Sequence, residues 1–141
     1  MSLMSKKTIS ILIFISTLLL FAIGIFVSFG QSEEKAISLS EFNAHIKNSN
    51  KPVFVYFSAG WCTVCGKMKP VMAEMEKEYD KKIDFYKLDT DRDKEVANEF
   101  EVNSLPLMIL YNKGDREWIH VGIIEQGVLR EVISPYSYAK K

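Results

Sequence analysis

The sequence predicts an α/β fold with a central mixed β-sheet flanked by helices, preceded by an N-terminal hydrophobic helix. An uncharged run of 21 residues, Ile9 to Phe29, opens a chain whose remainder is strongly polar. After it, runs rich in β-branched and aromatic residues alternate with stretches of helical spacing, the pattern of strand–helix–strand units. Near the end, Asn112-Lys113-Gly114-Asp115 separates two strand-like runs, so an antiparallel hairpin joins an otherwise parallel arrangement.

The length of 141 residues allows one domain of ordinary size plus extras. With 48% hydrophobic and 26% charged residues, four Pro and seven Gly, the composition is globular and excludes a disordered or low-complexity chain. Lys plus Arg and Asp plus Glu both number 18, leaving no basic excess to neutralise phosphates. Nucleic acid is therefore excluded as a partner class. The two cysteines, Cys62 and Cys65, are too few and too close to staple a small secreted fold. They read as a site.

The run from residue 9 to residue 29 would form a helix about 31 Å long, enough to cross a hydrocarbon core of about 30 Å. Lys6 and Lys7 precede it and Glu33 and Glu34 follow, so the positive-inside bias keeps the N-terminus cytoplasmic and sends the rest outside. The chain is thus expected to be extracytoplasmic and anchored by residues 1–30. Cleavage near Gly30, after the small residue Ser28, is the alternative and gives a secreted or periplasmic protein. Lys6 and Lys7 are the two basic residues before residue 31, so the remainder carries 16 basic against 18 acidic groups, net −2. Residues 31–36 read as a linker, and 37–141 as the working domain.

Ser38 and Glu41 stand at capping-box spacing, and Phe42, His45 and Ile46 follow at helical intervals, predicting a short helix over 40–49. Residues 53–58 form a continuous apolar run, as a strand buried on both faces would. From Cys62 to Lys81, Met68, Val71, Met72, Met75 and Tyr79 recur every three or four residues and give one apolar helical face. Pro70 lies inside that helix and is expected to kink it. A second strand is expected over 83–89, and a helix over 91–100 with Val96, Ala97 and Phe100 inward. Strands over 107–111 and 116–121 form the hairpin. A helix over 125–134 turns Val128, Leu129, Val132 and Ile133 to the sheet.

Cys62-Thr63-Val64-Cys65 falls between the central strand and the start of the long helix. Unpaired N–H groups and the macrodipole at a helix N-terminus favour negative charge, lowering the pKa of the first thiol. Cys62 is therefore the expected nucleophile. Two intervening residues let Cys65 reach back to the Cys62 sulfur, making it the resolving thiol.

The block Phe57-Ser58-Ala59-Gly60-Trp61-Cys62-Thr63-Val64-Cys65 resembles the strand–loop–Trp-Cys-x-x-Cys segment of the thioredoxin family, and Pro70 falls where that family kinks its active-site helix. Val102-Asn103-Ser104-Leu105-Pro106 is similar to the family's cis-proline loop, Tyr111-Asn112-Lys113-Gly114 to its hairpin turn, and Val121-Gly122 with Gly127 to its last strand and helix. The likeness covers about residues 37–134 in order. It implies a thioredoxin fold and a thiol–disulfide oxidoreductase, acting as a reductant on protein thiols and disulfides. No cofactor beyond the redox-active Cys62–Cys65 disulfide and no metal is implied. Substrate would lie against Trp61 and the Leu105–Pro106 loop, with Leu105 offering backbone hydrogen bonds. A membrane or exported redox partner would recharge the pair, and the chain would act as a monomer. The alternative is a redox-inert module holding a partner in the cis-proline groove.

Two positions depart from the family pattern. Tyr56 stands where thioredoxins carry a buried acid that deprotonates the second thiol, and a phenol with a pKa near 10 is no base at neutral pH. The pair between the cysteines is Thr-Val rather than Gly-Pro. Lys87 matches the lysine that partners that acid, with a solvated strand residue as the alternative. Trp61 is read as an exposed platform, against ordinary core. Zinc would need four ligands, and His45 and His120, the two histidines, lack finger spacing and read as surface residues. The Met68-Met72-Met75 stripe reads as core.

Overall fold

Strand β1 (Val53–Ser58) is buried along nearly its whole length, and this decides the architecture. Its side chains alternate between two apolar clusters. Phe54 and Tyr56 join Met68, Met72, Met75, Met108, Leu129 and Ile133 on one face. Val53, Val55 and Phe57 join Phe42, Ile46, Val96, Leu107 and Ile109 on the other. A strand covered on both faces needs apolar residues at every position, which accounts for the unbroken run. The computed structural model describes residues 6–28 and 35–138, with side chains in the first segment for Lys7 and residues 9–19.

The chain divides into two compact units, Met1–Glu34 and Lys35–Lys141. In the first, α1 runs from Lys6 to Ser28. Among the described residues no helix is long and apolar enough to cross a membrane. The described side chains of α1 end at Leu19, short of the end of the apolar run at Phe29. The Gly30 cleavage point and most of the expected linker lie outside the described residues.

In the second unit, α2 (Leu39–Asn48) opens with the expected capping box: the Glu41 N–H donates to Ser38 Oγ, and the Ser38 N–H to the Glu41 carboxylate at 3.0 Å. After β1 come α3 (Thr63–Tyr79), β2 (Asp84–Asp89), α4 (Lys94–Glu99), β3 (Leu107–Asn112), β4 (Asp115–Val121), α5 (Gln126–Ile133) and a 3₁₀ turn over Ser134–Tyr138. The strands lie in the order β2-β1-β3-β4. β1 pairs parallel with β2 and antiparallel with β3, and β3 pairs antiparallel with β4, so the sheet is mixed. Lys113 and Gly114 both have positive φ, as a two-residue hairpin turn requires.

Several sequence expectations need correction. The helix expected from Asp91 begins at Lys94, because Asp89 and Asp93 organise a turn first: the Asp91 N–H donates to Asp89 Oδ1 and the Asp93 N–H to the Asp89 carbonyl. Ile83 lies in the turn between α3 and β2 rather than in β2, its N–H donating to the Tyr79 carbonyl. Val128 is 48% exposed, since Leu129 and Ile133 already fill the contact with the sheet. His45 and His120 are half-buried rather than on the surface, packed against Tyr86 and Trp118. The Ser134–Tyr138 turn lacks any periodic signal.

Asp93 is the one buried charged residue among those described, 1% exposed. Its carboxylate accepts from the N–H groups of Ile37 and Asp89 and pairs with Arg92 at 2.7 Å, tying the start of the unit to the end of β2. Burial pushes the Asp93 carboxyl up, but the Arg92 and backbone hydrogen bonds outweigh it and hold the pKa below the ordinary value. A carboxylate depressed in the folded state stabilises above its unfolded pKa of about 3.9, and that stability is lost as pH falls through the lower folded value. Asp93→Asn should therefore cost about 1–3 kcal/mol at pH 7 and flatten the fall of stability below about pH 4. Urea midpoints measured from acid to neutral pH check both effects.

Candidate functional site

The parallel pair β1–β2 ends with Ser58 opposite Asp89, and the Thr90 N–H donates to the Ser58 carbonyl, bringing the two strand ends side by side. Residues just beyond the carboxyl ends of parallel strands are where α/β sheets place their sites. Here β1 runs into Ala59, Gly60 and Trp61, and Cys62 is the N-cap of α3.

Cys62 and Cys65 form a disulfide with their Cα atoms 5.3 Å apart. The two sulfurs are not equivalent. Cys62 is half-exposed, whereas Cys65 is 1% exposed on the inner face of α3. The Cys65 N–H donates to Cys62 Sγ at 3.1 Å, so the first sulfur uses one of the unpaired donors of the helix start. A thiolate at Cys62 inherits this bond together with the dipole of α3, both of which favour the charged form.

Trp61 stands 69% exposed beside the pair, so it is not an ordinary core residue. The Leu105–Pro106 peptide is cis. Trp61, Cys62, Thr63 and Val64 on one side and Thr90 and residues 102–105 on the other line a groove of about 370 Å³. No lining residue is charged. Leu105 is half-buried in it, while Pro106 is buried. The Pro106 carbonyl accepts from the Gly122 N–H at 2.8 Å, and Gly122 holds φ +97, a conformation that strains any side chain. The end of β4 thereby pins the cis-proline loop.

Sequence reasoning missed Thr90 as a groove residue, and of the loop against which it laid substrate it singled out Leu105 and Pro106 but not Val102, Asn103 or Ser104, which line the groove. Thr90 was findable, since it follows directly on the strand paired in parallel with β1. Asn103 carries no signal outside the loop that holds it. Pro70 lies on the exposed side of α3 and supplies no N–H to its hydrogen-bond ladder. Lys87 takes the solvated reading: it is exposed, with Nζ 2.7 Å from Glu76 of α3. Among the described residues no cluster of His, Cys, Asp or Glu could hold a metal ion.

Tyr56 lies under the second cysteine. It is 4% exposed, and its hydroxyl donates to the Cys65 carbonyl at 3.4 Å. Burial pushes its phenol above the ordinary tyrosine value, so it keeps its proton at neutral pH.

The sequence profile of the Thioredoxin family matches residues 33–135. The chain belongs to the thioredoxin family. Its members are thiol–disulfide oxidoreductases that use a redox-active cysteine pair. The M-type chloroplastic thioredoxin of Spinacia oleracea is 32% identical over 104 residues, 74% of this chain and 58% of that protein. The thioredoxin of Pyropia yezoensis is 30% identical over 97 residues, 69% of this chain and 91% of that protein. The chain thus spans under two thirds of the length of the plant relative and nearly all of the algal one. Among solved structures, oxidised mitochondrial thioredoxin 3 of Saccharomyces cerevisiae matches with a TM-score of 0.63 at 29% identity, covering 72% of this chain and 92% of that one.

Two outcomes test the geometry. Alkylation of the reduced protein at neutral pH should proceed more than about tenfold faster at Cys62 than at Cys65, read by peptide mapping. Equal rates would contradict the exposure and hydrogen bonding described. Tyr56→Asp should destabilise the domain, because a carboxyl buried there gains no strong partner while Lys87 is held by Glu76. Its folded pKa would be raised, so the loss should grow as pH rises above about 4, visible as a melting temperature lower at pH 8 than at pH 5.

Proposed function

We propose that the chain is an extracytoplasmic thiol–disulfide oxidoreductase that reduces disulfides of other proteins. The observation that carries the reading is the asymmetric Cys62–Cys65 pair at the start of α3, one sulfur open to the groove and the other shielded. In the reduced chain the Cys62 thiolate attacks a substrate disulfide, forming a mixed disulfide and releasing one substrate thiolate. The Cys65 thiolate then attacks the Cys62 sulfur, expelling the second substrate thiolate and closing the disulfide. The substrate gains two electrons and the pair loses two. An extended substrate segment would lie between Trp61 and Leu105, with the Leu105 backbone as its hydrogen-bonding partner.

The location rests on the sequence of the first unit. Residues 9–29 are uncharged, Lys6 and Lys7 flank their N-terminal side, and a helix of 23 residues would measure about 34 Å. This supports retention as an anchor with the domain outside the cytoplasm, where a membrane or exported partner would return electrons to the pair. An intact pair in register for exchange disfavours a redox-inert binding module, which needs only the groove.

Trapping tests the reaction and its location together. Cys65→Ser leaves the mixed disulfide without an internal exit, so this variant should accumulate covalent adducts with extracytoplasmic proteins, released by reductant. Cys62→Ser should not. Equal adduct yields from both variants would overturn the mechanism, and adducts confined to cytoplasmic proteins would overturn the location.

A further inference from the structure

Exchange requires a second thiolate, and the structure surrounds its position with almost nothing that could support one. Cys65 is fully shielded by the sheet face it packs on. A thiolate formed there loses most of its hydration, which raises its pKa unless a donor reaches it. The backbone N–H of Cys65 is committed to the Cys62 sulfur. Under it the sheet presents one row of side chains in register: Lys87 on β2, Tyr56 on β1, Met108 on β3 and His120 on β4. Lys87 is held outward by Glu76 of α3, and His120 Nε2 lies 3.3 Å from the Ile123 carbonyl while its ring stacks on Trp118. Met108 offers no donor. The remaining polar group is the Tyr56 hydroxyl, which already touches the Cys65 residue through its carbonyl at 3.4 Å.

We propose that the Tyr56 hydroxyl turns from the Cys65 carbonyl to the Cys65 sulfur when the pair is reduced, and stabilises the resolving thiolate as a neutral hydrogen-bond donor. The 3.4 Å bond is long, so little is lost in leaving it; rotation about the C–O bond redirects the proton, and the ring sits in a methionine-rich cluster that can adapt around it. A bond to the charged form of an ionisable group favours that form. The two sulfurs then have separate donors: the Cys65 N–H for Cys62 and the phenol for Cys65. In the resolving step the Cys65 thiol gives its proton to water, and the thiolate attacks the Cys62 sulfur of the mixed disulfide. The bond from Cys62 to the substrate sulfur breaks, and the leaving thiolate takes up a proton from solvent. The phenol keeps its own proton throughout, consistent with burial holding it above the ordinary tyrosine range.

This deepens the exchange reaction proposed above and rests on it for its purpose, but it is tested without any substrate. The full-length reduced protein, alkylated at Cys62, is titrated by the ultraviolet absorbance of the Cys65 thiolate in wild type, Tyr56→Phe and Tyr56→Met. Phe keeps the ring and Met matches its neighbours, so either variant that folds answers the question. Both should raise the Cys65 pKa by about one unit, a tenfold loss of thiolate at neutral pH. In the unmodified protein the pH profile of mixed-disulfide resolution should move up equally, with the alkylation rate of Cys62 unchanged. An unchanged Cys65 pKa would reduce Tyr56 to a packing residue and overturn the proposal. A lowered pKa would mean that the phenol oxygen accepts from the neutral thiol, which overturns it as well. If instead wild type reduces no protein disulfide while the titration shifts as expected, the exchange reading fails and the hydrogen bond stands.

Discussion

Burial of β1 on both faces is the constraint on which the rest of the structure depends. A strand enclosed by two apolar clusters cannot slide or twist independently, because a one-residue slip would exchange Phe54 and Tyr56 for Val53, Val55 and Phe57 across the sheet. Its carboxyl end is therefore a fixed point, and the chain leaves it with only Ala59, Gly60 and Trp61 before the N-cap of α3. The neighbouring strands are registered on the same element, β2 in parallel and β3 antiparallel. The groove inherits its shape from that registration: one wall follows β1, another follows β2 at Thr90, and the third is the loop that enters β3 through Leu105 and Pro106.

From that fixed point follows the inequality of the two sulfurs. α3 lays one face on the sheet, and its inward positions are Cys65, Met68, Met72, Met75 and Tyr79. Cys65 is the first of this stripe and so is buried by the same packing that holds the helix down. Cys62, three residues earlier at the cap, is turned toward the groove. A spacing of three keeps both sulfurs on one side of the helix, so what separates them is depth: Cys62 caps the helix with extended backbone at its open end, and Cys65 lies one turn further in, where the sheet covers it.

Much of this was legible in the sequence, and the reasons differ by element. β1 is readable because a strand buried on both faces has no polar residues to confuse its period. α3 is readable because Met68, Met72, Met75 and Tyr79 recur at helical spacing over about three turns. The cysteine pair is readable because its place between the two is fixed by both. What escaped was governed mostly by contacts between distant segments. Asp93 looks like one more acidic residue in a polar stretch, and only its bonds to Ile37 and Asp89 explain why α4 starts late. Val128 has the right phase for the sheet, yet Leu129 and Ile133 leave it no room. His45 and His120 look solvated by type, but His45 packs on Tyr86 of β2, and His120 stacks on Trp118, two residues back on the same face of β4.

The remaining step concerns why a phenol suits the floor of this site. A carboxylate under Cys65 could take a proton, but in the oxidised state it would stand unpaired in an apolar cluster, at a cost of several kcal/mol. Unless it kept the proton of Cys65, it would also set two negative charges side by side in a medium that screens them poorly. A phenol avoids both penalties, being neutral in the oxidised and reduced states and bringing a donor rather than a charge. It gives up proton acceptance, which water at the groove must then provide. The consequence is a division between the elements: the start of α3 stabilises the attacking sulfur by dipole and backbone N–H, and β1 supports the resolving sulfur by a single side-chain hydrogen bond. The chemistry then depends on the packing that holds Tyr56 at its place in the row, between Lys87 and Met108, and so on the same double burial of β1 that fixes the groove.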